Sequence, residues 1–404
     1  HDLAGKDDLA LDARIAAVRA LGSSEPARPL LVDLAGAGPR ALRRAVIDGL
    51  VGVPVGALVP AAQAQQAAAA AGDLWRAVTR RARRNADERA AALAAMIAAL
   101  PGATDYERRY RLVDGLAAIG DAAALAQLAA LLRGLPAGAE ASALEQIAAR
   151  AIAERPRPEA LALIVGFARD PDPGVRLAAL AALATSEGGA AGPWHPAEGP
   201  EAIDRVIANA LAGDRWPEVR RRAAQVMGNR CDRAGPARAL VDAAARDPDL
   251  DVRGDALAGL VQCKAPGTAD LLARTWDDAH QPLALRQRAV DLAVGLEDRA
   301  LAAKLVGRFQ SWRGAALSSQ DALALAQNAA YAIGRLAPPG AADALGDALD
   351  DAAFPELVAA AAGGLGLLGP ACPASAAGKL RVLAHAEDQQ VSSAAARAAA
   401  LCGK

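Results

Sequence analysis

Apolar and polar residues follow one another along this chain with the period of an amphipathic α-helix, in segments that recur about every 33 residues. In one copy Val219, Ala223 and Val226 fall at positions i, i+4 and i+7, which is one helical stripe. Asp and Pro residues form the turn before the copies, and both favour the start of a helix. A second Ala- and Leu-rich segment lies upstream of each copy. The pattern therefore predicts a repeating unit of helix A, tight turn and helix B.

The register predicts a B helix in every repeat and an A helix between successive B helices, about 23 helices in all. The predicted B helices are 7–21, 39–52, 73–84, 104–119, 139–154, 174–185, 217–228, 250–263, 282–296, 318–336, 354–369 and 389–402. We expect one solenoid over 1–404, with irregular repeats in 1–157 and regular repeats in 158–404.

An apolar residue followed by arginine opens helix B in each clear copy. The arginines are Arg176, Arg220, Arg253 and Arg286, and the last three are 33 residues apart. The pattern D-x-x-x-V-R-x-x-A-x-x-A-L resembles HEAT repeats, especially those of short bacterial, phycobilin-lyase-like HEAT proteins. The resemblance is clear over 158–296 and weaker to residue 402.

The resemblance implies an all-α fold, a right-handed α-solenoid in which B helices line the concave surface. It also implies that the signature Asp and Arg residues stabilise neighbouring repeats. We therefore expect the four arginines to form an internal ladder rather than a binding site. Because stacked repeats form a long curved surface, the fold suits recognition of an extended partner.

Composition agrees with closely packed helices and weighs against nucleic acid as the partner. Of the 404 residues 53% are hydrophobic but only 3% aromatic, so Ala and Leu must form most of the core. The net charge of −1 lacks the basic excess of a nucleic-acid-binding protein, although the basic helix 76–89 keeps that alternative open. No apolar run reaches the length of a membrane span, so no transmembrane segment is predicted.

No motif indicates catalysis. The four histidines are not paired at helical spacing, and the sequence has no H-E-x-x-H, C-x-x-C, G-x-S-x-G or P-loop motif. We therefore predict no catalytic residue, no metal site and no cofactor. A solenoid enzyme of the bilin-lyase-like or base-excision-like kind remains the alternative, since residues from several B helices could still converge.

The four cysteines fall at the ends of B helices, about one repeat apart. Cys231 and Cys263 are 32 residues apart, and Cys372 and Cys402 are 30 apart. Two disulfides between adjacent repeats or four buried free thiols both agree with this spacing. If the disulfides form, we expect the protein to be extracytoplasmic, either periplasmic or secreted, with or without a lipid anchor. If they do not form, we expect it to be cytoplasmic.

Two surfaces are candidates for partner binding. Helix 73–84 carries Arg76, Arg80, Arg83 and Arg84 off its apolar stripe, and few acids lie on that helix. These arginines are either a solvated face or a site for a partner's acidic peptide segment, a phosphate or a lipid head group. The second candidate is an inserted loop over 185–200, where Trp194 and His195 stand between two prolines. Trp194 is either a binding anchor or a cover for exposed core.

Three further tryptophans, Trp216, Trp276 and Trp312, fall at A-to-B turns, where they either form an exposed ridge or pack against their own turns.

Taken together, the sequence predicts a non-catalytic scaffold that binds a protein partner along its concave face or edge. We expect it to act as a monomeric subunit of a larger assembly.

Overall fold

Helices begin and end in this chain where the Asp, Pro and Gly signals place them. The computed structural model describes residues 10–21, 24–37, 39–50, 52–184, 200–231 and 234–402. These residues contain 23 α-helices, three short 3-10 helices and no β-strand. The B helices are Leu11–Leu21, Arg40–Leu50, Ala68–Arg84, Tyr106–Ile119, Ala139–Glu154, Pro173–Ala184, Pro217–Gly228, Leu250–Gln262, Leu283–Leu296, Gln320–Leu336, Pro355–Leu368 and Gln389–Leu401.

The A helices alternate with the B helices, as the register predicts. They are Arg28–Ala37, Val55–Ala64, Arg89–Ala99, Ala122–Arg133, Leu161–Phe167, Pro200–Gly213, Ala234–Arg246, Thr268–Asp277, Arg299–Ala315, Ala341–Ala348 and Ala374–Leu383. The 3-10 helices are Glu25–Ala27, Pro158–Ala160 and Gly369–Ala371. The predicted all-α solenoid of stacked helical pairs is confirmed.

Aspartates cap many of the helices. Asp249 accepts hydrogen bonds from the backbone N–H groups of Asp251 and Val252, and Asp388 caps the last B helix in the same way. Such caps satisfy donors that the first turn of a helix leaves without partners. Proline instead occupies the first turn of the helices that begin at Pro217 and Pro355.

The chain forms two compact units, one up to Val206 and the other from Ile207, so the division falls inside helix Pro200–Gly213. Within each unit, successive B helices pack side by side, and A helices pack on the B helices that follow them, as Arg299–Ala315 does on Gln320–Leu336. The prediction of one solenoid over 1–404 concerns how the two units are joined, and it stays a prediction.

The core consists of small and aliphatic side chains on the predicted stripes. Val219, Ala223 and Val226 are all buried. Backbones of adjacent B helices approach closely where both helices carry glycine: a Cβ added at Gly228 would lie 2.7 Å from the Cα of Gly259. Residues without large side chains therefore set the spacing between repeats, as the low aromatic content predicts.

The signature arginines form the expected ladder. Arg220 donates to both carboxylate oxygens of Asp247 in the next repeat at 2.8 Å, and to the backbone carbonyl of Asp214 in its own turn at 2.8 Å. Arg253 binds the Ala244 carbonyl and Gln281, Arg286 binds the Trp276 carbonyl and Asp321, and Arg176 binds the carbonyls of Asp170 and Pro171. Arg220, Arg253 and Arg286 thus link each repeat to the next, and Arg176 holds the turn before its own helix.

Candidate functional site

The predicted basic face lies on B helix Ala68–Arg84 of the N-terminal unit. This helix begins five residues before the predicted start at 73, because the Ala-rich segment before it is also helical and Ala70 and Ala71 are buried. Trp75 and Val78 point into the core, as expected. Arg76, Arg80 and Arg83 are partly exposed, and Arg84 is exposed.

Neighbouring helices supply carboxylates to this face. Arg80 forms an ion pair with Asp48 at 2.5 Å, and Arg83 lies 3.8 Å from Glu154. Carboxylates from other helices therefore pair with Arg80 and Arg83, although few acids lie on this helix itself. Arg84 forms no ion pair or side-chain hydrogen bond with any residue in the described part of the chain.

Asp114 lies among the charged side chains of this face, on helix Tyr106–Ile119. Burial raises the pKa of its carboxyl group, and the positive charges of Arg83, Arg111 and Arg76 counteract that rise. The sequence pattern does not single out Asp114, because Arg83 and Arg76 come from another B helix. The face is thus a mixed-charge surface that includes a partly buried acid.

Four arginines surround a cavity of about 340 Å³ at the C-terminal end of helix Tyr106–Ile119. They are Arg83, Arg89, Arg155 and Arg157, and we call this group the arginine pocket. Only Arg83 belongs to the predicted site. The missed signal is the segment 154–159, in which prolines follow Arg155 and Arg157 and fix their backbone.

Arg157 closes the end of the helix. Its guanidinium donates to the backbone carbonyls of Ala117, Ala118 and Gly120 at 2.6, 3.0 and 3.0 Å. These carbonyls have no partner within the helix, and a cation is favourable there. Burial lowers the pKa of Arg157, Glu159 opposes that effect, and the charges of Arg89 and Arg83 lower it further.

A second, more apolar groove of about 460 Å³ lies between helices Ala122–Arg133 and Leu161–Phe167. Glu145 lines one end of it. Burial is the main cause that raises the pKa of Glu145 to about 7. The negative charge of Asp170, its hydrogen bond to Glu145 and the negative charge of Asp172 contribute to the rise. The groove therefore holds a carboxyl group that titrates near neutral pH.

Both predicted cysteine pairs lie at disulfide-bonding distance in the C-terminal unit. The Cα atoms of Cys231 and Cys263 are 5.8 Å apart, and those of Cys372 and Cys402 are 5.3 Å apart. Disulfides require a Cα separation of about 4.4–6.8 Å. The repeat register thus places each pair as predicted.

The three tryptophans at A-to-B turns differ in their exposure to solvent. Trp276 and Trp312 are buried, which excludes a continuous ridge, whereas Trp216 is 42% exposed and lies beside Arg215. Trp194, His195 and the rest of loop 185–199 lie outside the described residues. Among the residues that the structure describes, no group of three His, Cys, Asp or Glu side chains is arranged to hold a metal ion.

In the described ranges, no helix has both the length and the apolar character needed to cross a membrane.

Searches against protein-family models and against curated proteins returned no match. Solved structures with a similar fold match this chain at low sequence identity.

One is the crystal structure of Kap121p, with a TM-score of 0.63 and 12% identity over 98% of this chain and 48% of that one. Another is the karyopherin Kap121p bound to the extreme C-terminus of the protein phosphatase Cdc14p, with a TM-score of 0.55 and 12% identity over 98% of this chain and 44% of that one. An engineered protein aligns over 98% of this chain and 96% of its own at 19% identity, with a TM-score of 0.32.

This chain spans about half the length of the two karyopherin structures. Identity at this level shows the fold alone. The closer resemblance to phycobilin-lyase-like HEAT proteins is not tested by these matches and stays a prediction. The helical pairs, the arginine ladder and the karyopherin neighbours together show that the chain has the fold of a HEAT-repeat α-solenoid.

Proposed function

We propose that this protein is a non-catalytic scaffold that binds an acidic segment of a protein partner on the B-helix face of its N-terminal unit. The observation that carries the proposal is the row of arginines on helix Ala68–Arg84. Arg84 is exposed, and no described carboxylate pairs with it. A guanidinium binds carboxylates in bidentate geometry, which favours arginine over lysine at such a surface.

The ion pairs within this face are weak enough for a partner's carboxylate to replace the protein's own. In the pair between Arg80 and Asp48 the two side chains are 36% and 76% exposed. Exposed pairs of this kind contribute only about 0.2–1 kcal/mol each. A partner carboxylate can therefore replace Asp48 at little cost, so the pair does not compete strongly with binding.

The fold supports the same conclusion at a coarse level. A karyopherin with this fold has been crystallised with the C-terminal segment of another protein. We extend that mode of binding to this chain, with loop 185–200 and its Trp194 and His195 as a second contact. In this proposal the chain binds as one monomeric subunit of a larger assembly.

The proposal extends to the cellular compartment in which the protein functions. If both cysteine pairs are oxidised, the protein functions outside the cytoplasm. Non-reducing peptide mapping of freshly isolated native protein should yield two cross-linked peptides, one for each pair. Four thiols that react with an alkylating reagent would contradict both the disulfides and the extracytoplasmic location.

The binding proposal is tested on the native partner, captured from extract and identified by mass spectrometry. Surface plasmon resonance at two salt concentrations should show that Arg80→Glu and Arg84→Glu lower the association rate. Trp194→Ala should instead raise the dissociation rate, as loss of an aromatic anchor does. Arg133→Glu, at an exposed residue of the same unit, is the matched control.

Unchanged affinity in all three test variants, with folding intact, would contradict the assignment of the site. Absence of any saturable protein partner would contradict the scaffold function itself.

A further inference from the structure

The arginine pocket contains more positive charge than its own acids neutralise. Four arginines line it together with the acids Asp121 and Glu159, and Glu154 lies 3.8 Å from Arg83. Asp121 is already engaged, because its side chain accepts a hydrogen bond from the backbone N–H of Ala124 as the cap of helix Ala122–Arg133. Four arginines against these three carboxylates leave the cavity with an excess of about one positive charge.

The fold holds these arginines together. Arg157 is fixed by three helix-terminal carbonyls, and Arg89 donates from Nε to the carbonyl of Ala82 at 3.4 Å. The Nε of Arg83 is buried and has no hydrogen-bond partner among the described residues. Arg155 is exposed at the rim, between Glu154 and Pro156.

Such an arrangement is unfavourable when the cavity is empty of anions. Guanidinium groups that line one cavity repel each other, and the repulsion grows as they leave water. An anion would relieve the repulsion and would accept hydrogen bonds from groups that are already positioned.

We propose that the arginine pocket binds an oxyanionic side chain of an acidic peptide segment, either a pair of carboxylates or one phosphate group. Both carry about two negative charges and several acceptor oxygens, which guanidinium groups bind in bidentate geometry. The proposal rests on the proposed scaffold function and specifies where on the N-terminal unit the partner's charged groups bind. Arg83 belongs to both surfaces and makes them continuous.

Two fluorescein-labelled peptides of equal length test the proposal: hexaglutamate, and a peptide whose one charged side chain is a phosphoserine. Fluorescence anisotropy with the full chain measures their affinity at two salt concentrations. Binding of hexaglutamate shows that carboxylates suffice, and binding of the phosphoserine peptide alone identifies phosphate as the ligand. Either result supports an oxyanion site.

Charge reversal locates the site. Arg89→Glu and Arg155→Glu should each weaken binding of the bound peptide about tenfold or more, which corresponds to about 1.4 kcal/mol. Both residues are exposed, so circular dichroism should show unchanged helix content. Arg133→Glu is the control, since it lies at the other end of helix Ala122–Arg133, about 16 Å from the pocket and beyond the Debye length.

Equal affinity in the two pocket variants and the control would overturn the pocket assignment, and so would failure of the wild-type protein to bind either peptide. In either case the scaffold function would still be judged by the native partner. Loss of the pocket and loss of the scaffold function are thus distinguishable.

Discussion

Removal of one rung of the arginine ladder should destabilise the C-terminal unit strongly. The side chains of Arg220 and Asp247 are 10% and 6% exposed, and they share two hydrogen bonds of 2.8 Å. In Arg220→Ala the Asp247 carboxylate stays buried with only the backbone N–H of Asp249 as its donor. Removal of one partner from a buried ion pair costs about 3–5 kcal/mol, so we expect a loss in this range.

The adjacent residue provides a matched control. Arg221 forms ion pairs with Asp251 and Asp255, but its side chain is 41% exposed. Exposed pairs contribute about 0.2–1 kcal/mol, so Arg221→Ala should cost about 1 kcal/mol or less. The two variants remove the same side chain from the same helix and differ mainly in burial.

Urea denaturation monitored by circular dichroism measures both free energies of unfolding. Because repeat proteins do not always unfold in one step, hydrogen exchange of helices Pro217–Gly228 and Leu250–Gln262 should be followed as well. Addition of Asp247→Ala to Arg220→Ala should recover part of the loss, since no unpaired buried charge then remains. The reasoning is refuted if Arg220→Ala costs no more than Arg221→Ala.

Two further predictions concern packing and pH. Gly334→Ala should cost about 1–3 kcal/mol in thermal unfolding, because the added Cβ would lie 2.6 Å from the Cα of Gly364. Gly346→Ala is the control: its added Cβ has no neighbouring atom closer than 3.9 Å, so it should stabilise its helix by about 0.5–1 kcal/mol. The pKa of Glu145 rises from 4.5 to about 7 on folding, so its contribution to stability is present below pH 4.5 and is lost as the pH rises through 7. The melting temperature should therefore fall between pH 5 and pH 8 in the wild type and less in Glu145→Gln; equal slopes would contradict the shift.

The sequence alone determined the helices of this protein and their order. Helix Ala139–Glu154 begins and ends at the predicted residues, and Pro217–Gly228 does so as well. Such boundaries depend on signals a few residues away: the apolar period, the capping residues and proline. The repeat register extended this local information to distant residues, which is why it could pair Cys231 with Cys263 across 32 positions.

Only the tertiary structure decided which charges meet. Arg80 pairs with Asp48 from the preceding B helix, and the side chains of Arg83 and Arg155 line one cavity although 72 residues separate them in the chain. Both residues lie at the C-terminal ends of B helices, but the repeats before residue 158 have no constant length from which their approach could be predicted. Long side chains adopt many rotamers, and the packing of several helices selects among them. The geometry of charged groups therefore follows from the assembled unit, whereas the helices that carry them follow from the sequence.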